Sequence, residues 1–233
     1  MNAPESDAAN SMLRANTMVA TQDSLPAERV TIVCEELKHA THAAHGRINH
    51  HPYLCGLIKA GYPLTRYQSL LAMYAALYGA LETQIESFLA RNHVPFAYAH
   101  RRKTGWLRDD MAHFGMNADQ PPWQPPEMPA RMHLSDCGAL IGTLYVIEGA
   151  TLGGEIISRH LKDNLALGPA SGARFFNGYG SAQATRHNWQ TFCNFANSND
   201  ASKGVLACAK LSAVRTFELF ESQLDALQAR AVQ

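Results

Sequence analysis

Residues 144–161, LYVIEGATLGGEIISRHL, limit what this chain can build more than any other stretch. The segment reads as a helix, yet Gly149, Gly153 and Gly154 stand inside it, and each glycine in a helix interior costs about 1 kcal/mol relative to alanine. Glycine removes the Cβ and lets another body approach the backbone. Two bodies suit such a face: a crossing helix, or a flat ligand lying against it. The rest of the chain has to choose between them.

Everything else in the pattern is helical or irregular. Residues 1–24 mix Asn, Ser, Ala, Asp and Thr without period and predict a mobile tail, with the folded domain covering 25–233. A first helix is expected from Ser24 to Pro26 onward, with Val30, Val33, Cys34, Leu37, Thr41, Ala44 and Ile48 as its apolar stripe. Thr65 and Gln68 have capping-box spacing. They precede the clearest helix, in which Tyr67, Leu70, Leu71, Tyr74, Leu77, Tyr78, Leu81, Ile85 and Phe88 recur every three or four residues. A weaker helix follows at Thr104 to Phe114, and five prolines between Pro121 and Pro129 forbid regular structure until His133. Ser135 is placed to cap the glycine-bearing helix, which should run to Leu165. Two more helices are expected at Thr185 to Ala196 and Ser202 to Arg230. No run alternates with period two, so the fold class is all-α, a single multi-helix bundle.

Composition removes several function classes. Of 233 residues, twenty Lys plus Arg balance twenty Asp plus Glu, so no charge excess points to nucleic acid or an anionic membrane. The five cysteines contain no C-x-x-C pair and read as buried, reduced thiols. No secretory signal pattern and no run of 18 or more apolar residues stands out, which predicts a cytoplasmic protein without a membrane span. GYGSA at 178–182 lacks both the strand and the lysine of a nucleotide loop, so redox chemistry here needs electrons from outside.

Lys38, Thr41 and His45 share one face of the first helix. A neutral imidazole ending an apolar stripe suits the axial position on heme iron, and a cation on the same face suits a propionate; an ordinary core histidine reads the same way. His39, His42 and His45 rotate too far around the helix to share one ion. Glu36 and His39, Asp110 and His113, Glu82 and Glu86 imitate a di-iron ligand set incompletely, and a solvated acidic face explains the acids.

Taken in order, LKHATHAAH (37–45), YAALYGALETQIE (74–86), YVIEGATLGG (145–154), RFFNGYG (174–180) and the later Trp189 resemble the heme oxygenase family over roughly residues 28–225. The pattern is most similar to the bacterial biliverdin-forming enzymes associated with bacteriophytochromes. The resemblance implies that His45 is the proximal ligand of heme iron, that Lys38 sits near a propionate, and that Gly149, Gly153 and Gly154 belong to a kinked distal helix. By the same analogy Arg159 and Arg186 lie near propionate sites, and Tyr179 and Phe192 line the pocket. The position after the first glycine, polar in many relatives, is Ala150. Proton delivery therefore falls to the backbone near Gly149, to Thr151 or to Tyr145. The implied activity is oxidative cleavage of heme, at once cofactor and substrate, to biliverdin, ferrous iron and carbon monoxide. It uses O2 and an external reductase or ferredoxin, and the resemblance implies a bacteriophytochrome as biliverdin acceptor. The contrasting expectation is a heme-binding sensor or carrier of the same fold that has lost turnover.

Overall fold

The computed structural model describes residues 32–120, 123, 133–199 and 203–231. The expected tail, the first helix's start at Ser24 to Pro26 and most of the proline-rich stretch lie outside them. The elements are α1 (Ile32–His50), α2 (Pro52–Cys55), α3 (Leu64–Arg91), α4 (Thr104–His113), α5 (Cys137–Gly149), α6 (Gly154–Leu165), α7 (Arg174–Asn177), α8 (Ala182–Ser198) and α9 (Lys203–Ala231), with 3-10 turns at Gly56–Ile58, Ala99–Arg101 and Ala150–Gly153. No strand occurs among the described residues.

The period read from the sequence becomes the core. In α3 the whole stripe from Tyr67 to Phe88 is buried, and in α1 Val33, Cys34, Leu37, Thr41, Ala44 and Ile48 are buried too. Tyr74 and Tyr78 of α3 meet Phe175 of α7 at 5.2 and 5.3 Å between ring centroids, and both also pack near Phe220 of α9. Those contacts seat the short α7 turn on the bundle. The long helix α9 packs chiefly along α5 and α1.

Helix starts differ from expectation in the caps of α3 and α5 and in α8, which begins three residues early at Ala182 with Ser181 as its cap. The residue at the α3 N-cap is Pro63, which makes no side-chain cap, so the Thr65 and Gln68 box does not form. At α5 the cap is Asp136, whose Oδ1 accepts from the Ala139 N–H at 2.9 Å, while Ser135 donates its hydroxyl to the same carboxylate. A carboxylate at a helix N-terminus also complements the macrodipole, which a hydroxyl does not. Residues 137–165 are long and apolar enough to cross a membrane by length and composition, but the 3-10 turn interrupts them and 50% of the most apolar window is buried within the fold. That is the signature of a core helix. Of the cysteines, Cys34 and Cys193 are buried and in contact, whereas Cys55, Cys137 and Cys208 are half-buried.

Candidate active site

The site begins where α1 and α5 meet. Thr41 is buried and donates its hydroxyl to the Leu37 carbonyl at 2.7 Å, and the phenol of Tyr145 on α5 approaches the same side chain. Burial raises the Tyr145 phenol above its ordinary value, so it stays protonated at neutral pH. One turn further along α1 is His45, and one turn further along α5 is Gly149.

His45 is half-buried, with its ring edge-on to Phe217 of α9 at 5.7 Å. The Asn49 amide lies 3.4 Å from its ring nitrogens, too long for a strong hydrogen bond. Burial pushes the imidazole below its ordinary pKa, and the neighbouring His42 pushes the same way. The ring is therefore neutral and held by no strong partner, the state in which histidine ligates a metal.

The three glycines of α5 and its continuation separate into different roles. A Cβ on Gly149 would lie 3.6 Å from the Trp189 ring, an ordinary contact, and one on Gly153 would meet nothing within 4 Å. A Cβ on Gly154 would stand 2.4 Å from the Phe176 carbonyl oxygen, so this glycine serves backbone packing against α7. Trp189 packs against Tyr145 at 5.7 Å and against the fully buried Phe192 at 5.4 Å. Open space beside Gly153 and an uncommitted imidazole on the neighbouring helix fit a flat, iron-centred group.

Other expected site residues are placed less centrally. Lys38 is half-exposed and pairs loosely with Glu35 at 3.7 Å, and Arg159 pairs at 3.7 Å with Glu155 on its own helix. Arg186 and Ala150 are exposed. Neither Arg159 nor Arg186 shares a hydrogen bond or ion pair with the face carrying His45 and Gly149 among the described residues. Tyr179 has its hydroxyl bound to Glu148 Oε2 at 2.7 Å.

Glu148 belongs to a buried charge cluster that the sequence hides. Arg101 and Lys103 belong to a run of three consecutive cations, yet both are 1% exposed. Arg101 Nη1 donates to Glu148 Oε2 at 2.6 Å, and Lys103 Nζ donates to Glu148 Oε1. Burial pulls the Lys103 ammonium below its ordinary value, and the Glu148 carboxylate counteracts that pull. Glu82, expected on a solvated face, is also buried and accepts from the Lys103 and Thr104 N–H groups at the start of α4. Only the flanking cations behave as surface groups, Arg102 with Glu86 and Arg108 with Asp119. Charges this deep persist because they are paired. Trp189 and Phe217 complete the residues that sequence reasoning leaves out of the site, although both lie on apolar stripes of their helices.

A cleft of about 70 Å³ lies elsewhere, lined by Leu81, Ala139, Thr143, Ser212, Thr216 and Leu219 among others. It shares no residue with the face of His45 and is far below the roughly 300–1,000 Å³ of small-molecule pockets.

Residues 32–226 match the family model described as heme oxygenase. This chain belongs to the heme oxygenase family. Solved heme oxygenases share its fold. That of Neisseria meningitidis, solved with NO and CO bound, is 18% identical with a TM-score of 0.69, over 84% of this chain and 91% of that one. Heme oxygenase-2 of Synechocystis, in complex with heme and NO, is 18% identical with a TM-score of 0.73, over 84% of this chain and 85% of the other. The Leptospira interrogans enzyme is 14% identical with a TM-score of 0.67, over 82% and 98%. No curated protein matches the sequence significantly. Heme degradation to biliverdin is the function of the family, and the all-helical fold expected for it is the one observed.

Proposed function

We propose that His45 is the proximal ligand of a heme seated between α1 and α5, and that Gly149 and Gly153 form the backbone wall on its distal side. The observation that carries this reading is the pairing of a neutral, uncommitted imidazole with open space at Gly153, in the 3-10 turn that continues the adjoining helix. Bound heme supplies both the iron that activates dioxygen and the carbon that is oxidised. The chain's part is to hold iron through His45, to exclude bulk at Gly149 and Gly153, and to keep Tyr145 and Trp189 against the slot. Thr151 donates its hydroxyl to the Glu148 carbonyl at 2.7 Å, which commits that proton to the backbone. Ala150 offers no polar group, which leaves the Gly149 carbonyl, through water, and the Tyr145 hydroxyl as the proposed proton route.

Lys38, Arg159 and Arg186 are the cations proposed for the propionates, each long enough to swing from its present partner or from solvent. Electrons come from an external reductase or ferredoxin, and a bacteriophytochrome is the proposed acceptor of biliverdin. Five unpaired cysteines suit a reducing, cytoplasmic setting. The test is to mix the protein with hemin and an electron donor in air. Loss of the Soret band with growth of biliverdin absorption is the expected result; a persistent heme spectrum identifies a carrier instead.

A further inference from the structure

The Arg101 side chain hydrogen-bonds to residues of both walls beside the slot. Its Nη1 donates to Glu148 Oε2 at 2.6 Å and to the Asn188 carbonyl at 3.1 Å. Glu148 immediately precedes Gly149, and Asn188 immediately precedes Trp189. The bridge thus joins the Glu148 carboxylate, next to the glycine wall, to the backbone of the tryptophan wall.

The surrounding groups hold the bridge rather than share its task. Lys103 Nζ occupies the other carboxylate oxygen of Glu148, and the Tyr179 hydroxyl adds a bond at 2.7 Å. On the α8 side, His100 Nε2 lies 3.0 Å from Asn188 Oδ1, and Asn188 Nδ2 donates to the Ala184 carbonyl at 2.9 Å. Arg101, Lys103 and Glu148 are each 1% exposed, and the Arg101 guanidinium lies over the Phe96 ring at 4.8 Å. Burial strengthens charge-assisted bonds and lowers their tolerance for alternative geometry. The Glu148 carbonyl, meanwhile, takes the Thr151 hydroxyl inside the 3-10 turn.

We propose that Arg101 and Glu148 are positioning residues: their buried bridge sets the separation of Gly149 from Trp189 and so fixes how the macrocycle is seated. The inference rests on the heme-site reading for its consequence, but the clamp itself is made wholly of the chain's own residues. Both bonds leave a single nitrogen, Nη1, so what arginine adds over lysine is reach and a flat guanidinium that lies over the Phe96 ring, which an ammonium on a shorter stem does not reproduce.

The test is Arg101→Lys, which preserves the buried charge. In heme-free protein, amide hydrogen exchange over 149–153 and 188–190 should accelerate about tenfold or more, the effect of losing one charge-assisted hydrogen bond, while the middle of α9 keeps its protection. With hemin, the variant should keep the axial-ligand spectrum of wild type but release a mixture of biliverdin isomers where wild type releases one predominant isomer. Unchanged exchange at both walls together with an unchanged isomer ratio overturns the proposal. If Arg101→Lys does not fold, Tyr179→Phe removes one bond to the same carboxylate without altering charge, and the same two measurements then decide, with smaller changes expected. Failure of wild type to bind hemin would overturn the heme-site reading alone, since the exchange measurement on heme-free protein stands without it.

Discussion

The two halves of the α5 segment use glycine for opposite purposes. In the first half, a Cβ on Gly138 would lie 2.5 Å from the Val205 carbonyl oxygen, and one on Gly142 would lie 2.2 Å from that of Ala209. Here glycine lets α9 cross at backbone contact. In the second half, Gly149 meets Trp189 at an ordinary distance and Gly153 faces open space. A crossing helix and a flat ligand both explain glycine, and this helix accommodates each on a different stretch. Gly154 returns to the first purpose, against the Phe176 carbonyl. Glycine count along a helix therefore says little until each missing Cβ is asked what it would touch.

The comparison breaks most easily at its tightest point. Gly142→Val should cost more than about 3 kcal/mol, because backbone atoms cannot yield as a side chain can. Thermal denaturation or loss of soluble protein would show it, and a native-like melting temperature would mean the two helices can part. Gly154→Ala should cost about 1–3 kcal/mol for the same reason at one carbonyl, read from the midpoint of urea unfolding.

The turn on which Gly154 rests is pinned by Asp110, whose carboxylate accepts the Arg174 and Phe175 N–H groups at 2.6 and 2.8 Å. Burial raises Asp110 from 3.8 to about 6 against the pull of those two bonds. With the folded pKa above the unfolded one, the associated stability is full below 3.8 and lost as pH rises through about 6. Relative to Asp110→Asn, wild type should gain about 1–2 kcal/mol between pH 7.5 and 5. A pH-independent difference in unfolding free energy between the two would remove Asp110 from this role.

Smallest in stability, and most telling for function, are the glycines of the open half. Gly149→Ala and Gly153→Leu should leave stability within about 1 kcal/mol, as helix propensity even favours the replacement. Gly153→Leu should nevertheless abolish heme binding or turnover, and Gly149→Ala should weaken it modestly, as followed by hemin titration. A fully active Gly153→Leu would show that this space is not the heme seat.

Much of this was legible in the residues. Apolar positions three and four apart in α1 and α3 give the core directly, since burial of a helical stripe follows from its period. His45, the proposed axial ligand, is legible because it stands near the end of such a stripe. The charge cluster is not, because Arg101 and Lys103 stand in a basic run whose side chains are paired by Glu148, 47 and 45 residues away. Gly138 and Gly142 do leave a signal: they are four apart, as are Ala209 and Ala213 on the facing helix. That small-residue match identifies the crossing face once the partner helix is known. Side chains on long flexible stems, such as Arg159 and Arg186, leave no comparable trace, because sequence fixes where their stems start and not where their heads settle.

The proposed heme seat requires His45 to face the open half of the helix. Its most direct test is the ferric heme spectrum of His45→Gly with and without free imidazole. The predicted result is loss of the wild-type axial-ligand spectrum in the variant and its recovery when imidazole fills the vacated position. A His45→Gly protein that binds hemin with the wild-type spectrum in the absence of imidazole would contradict the assignment.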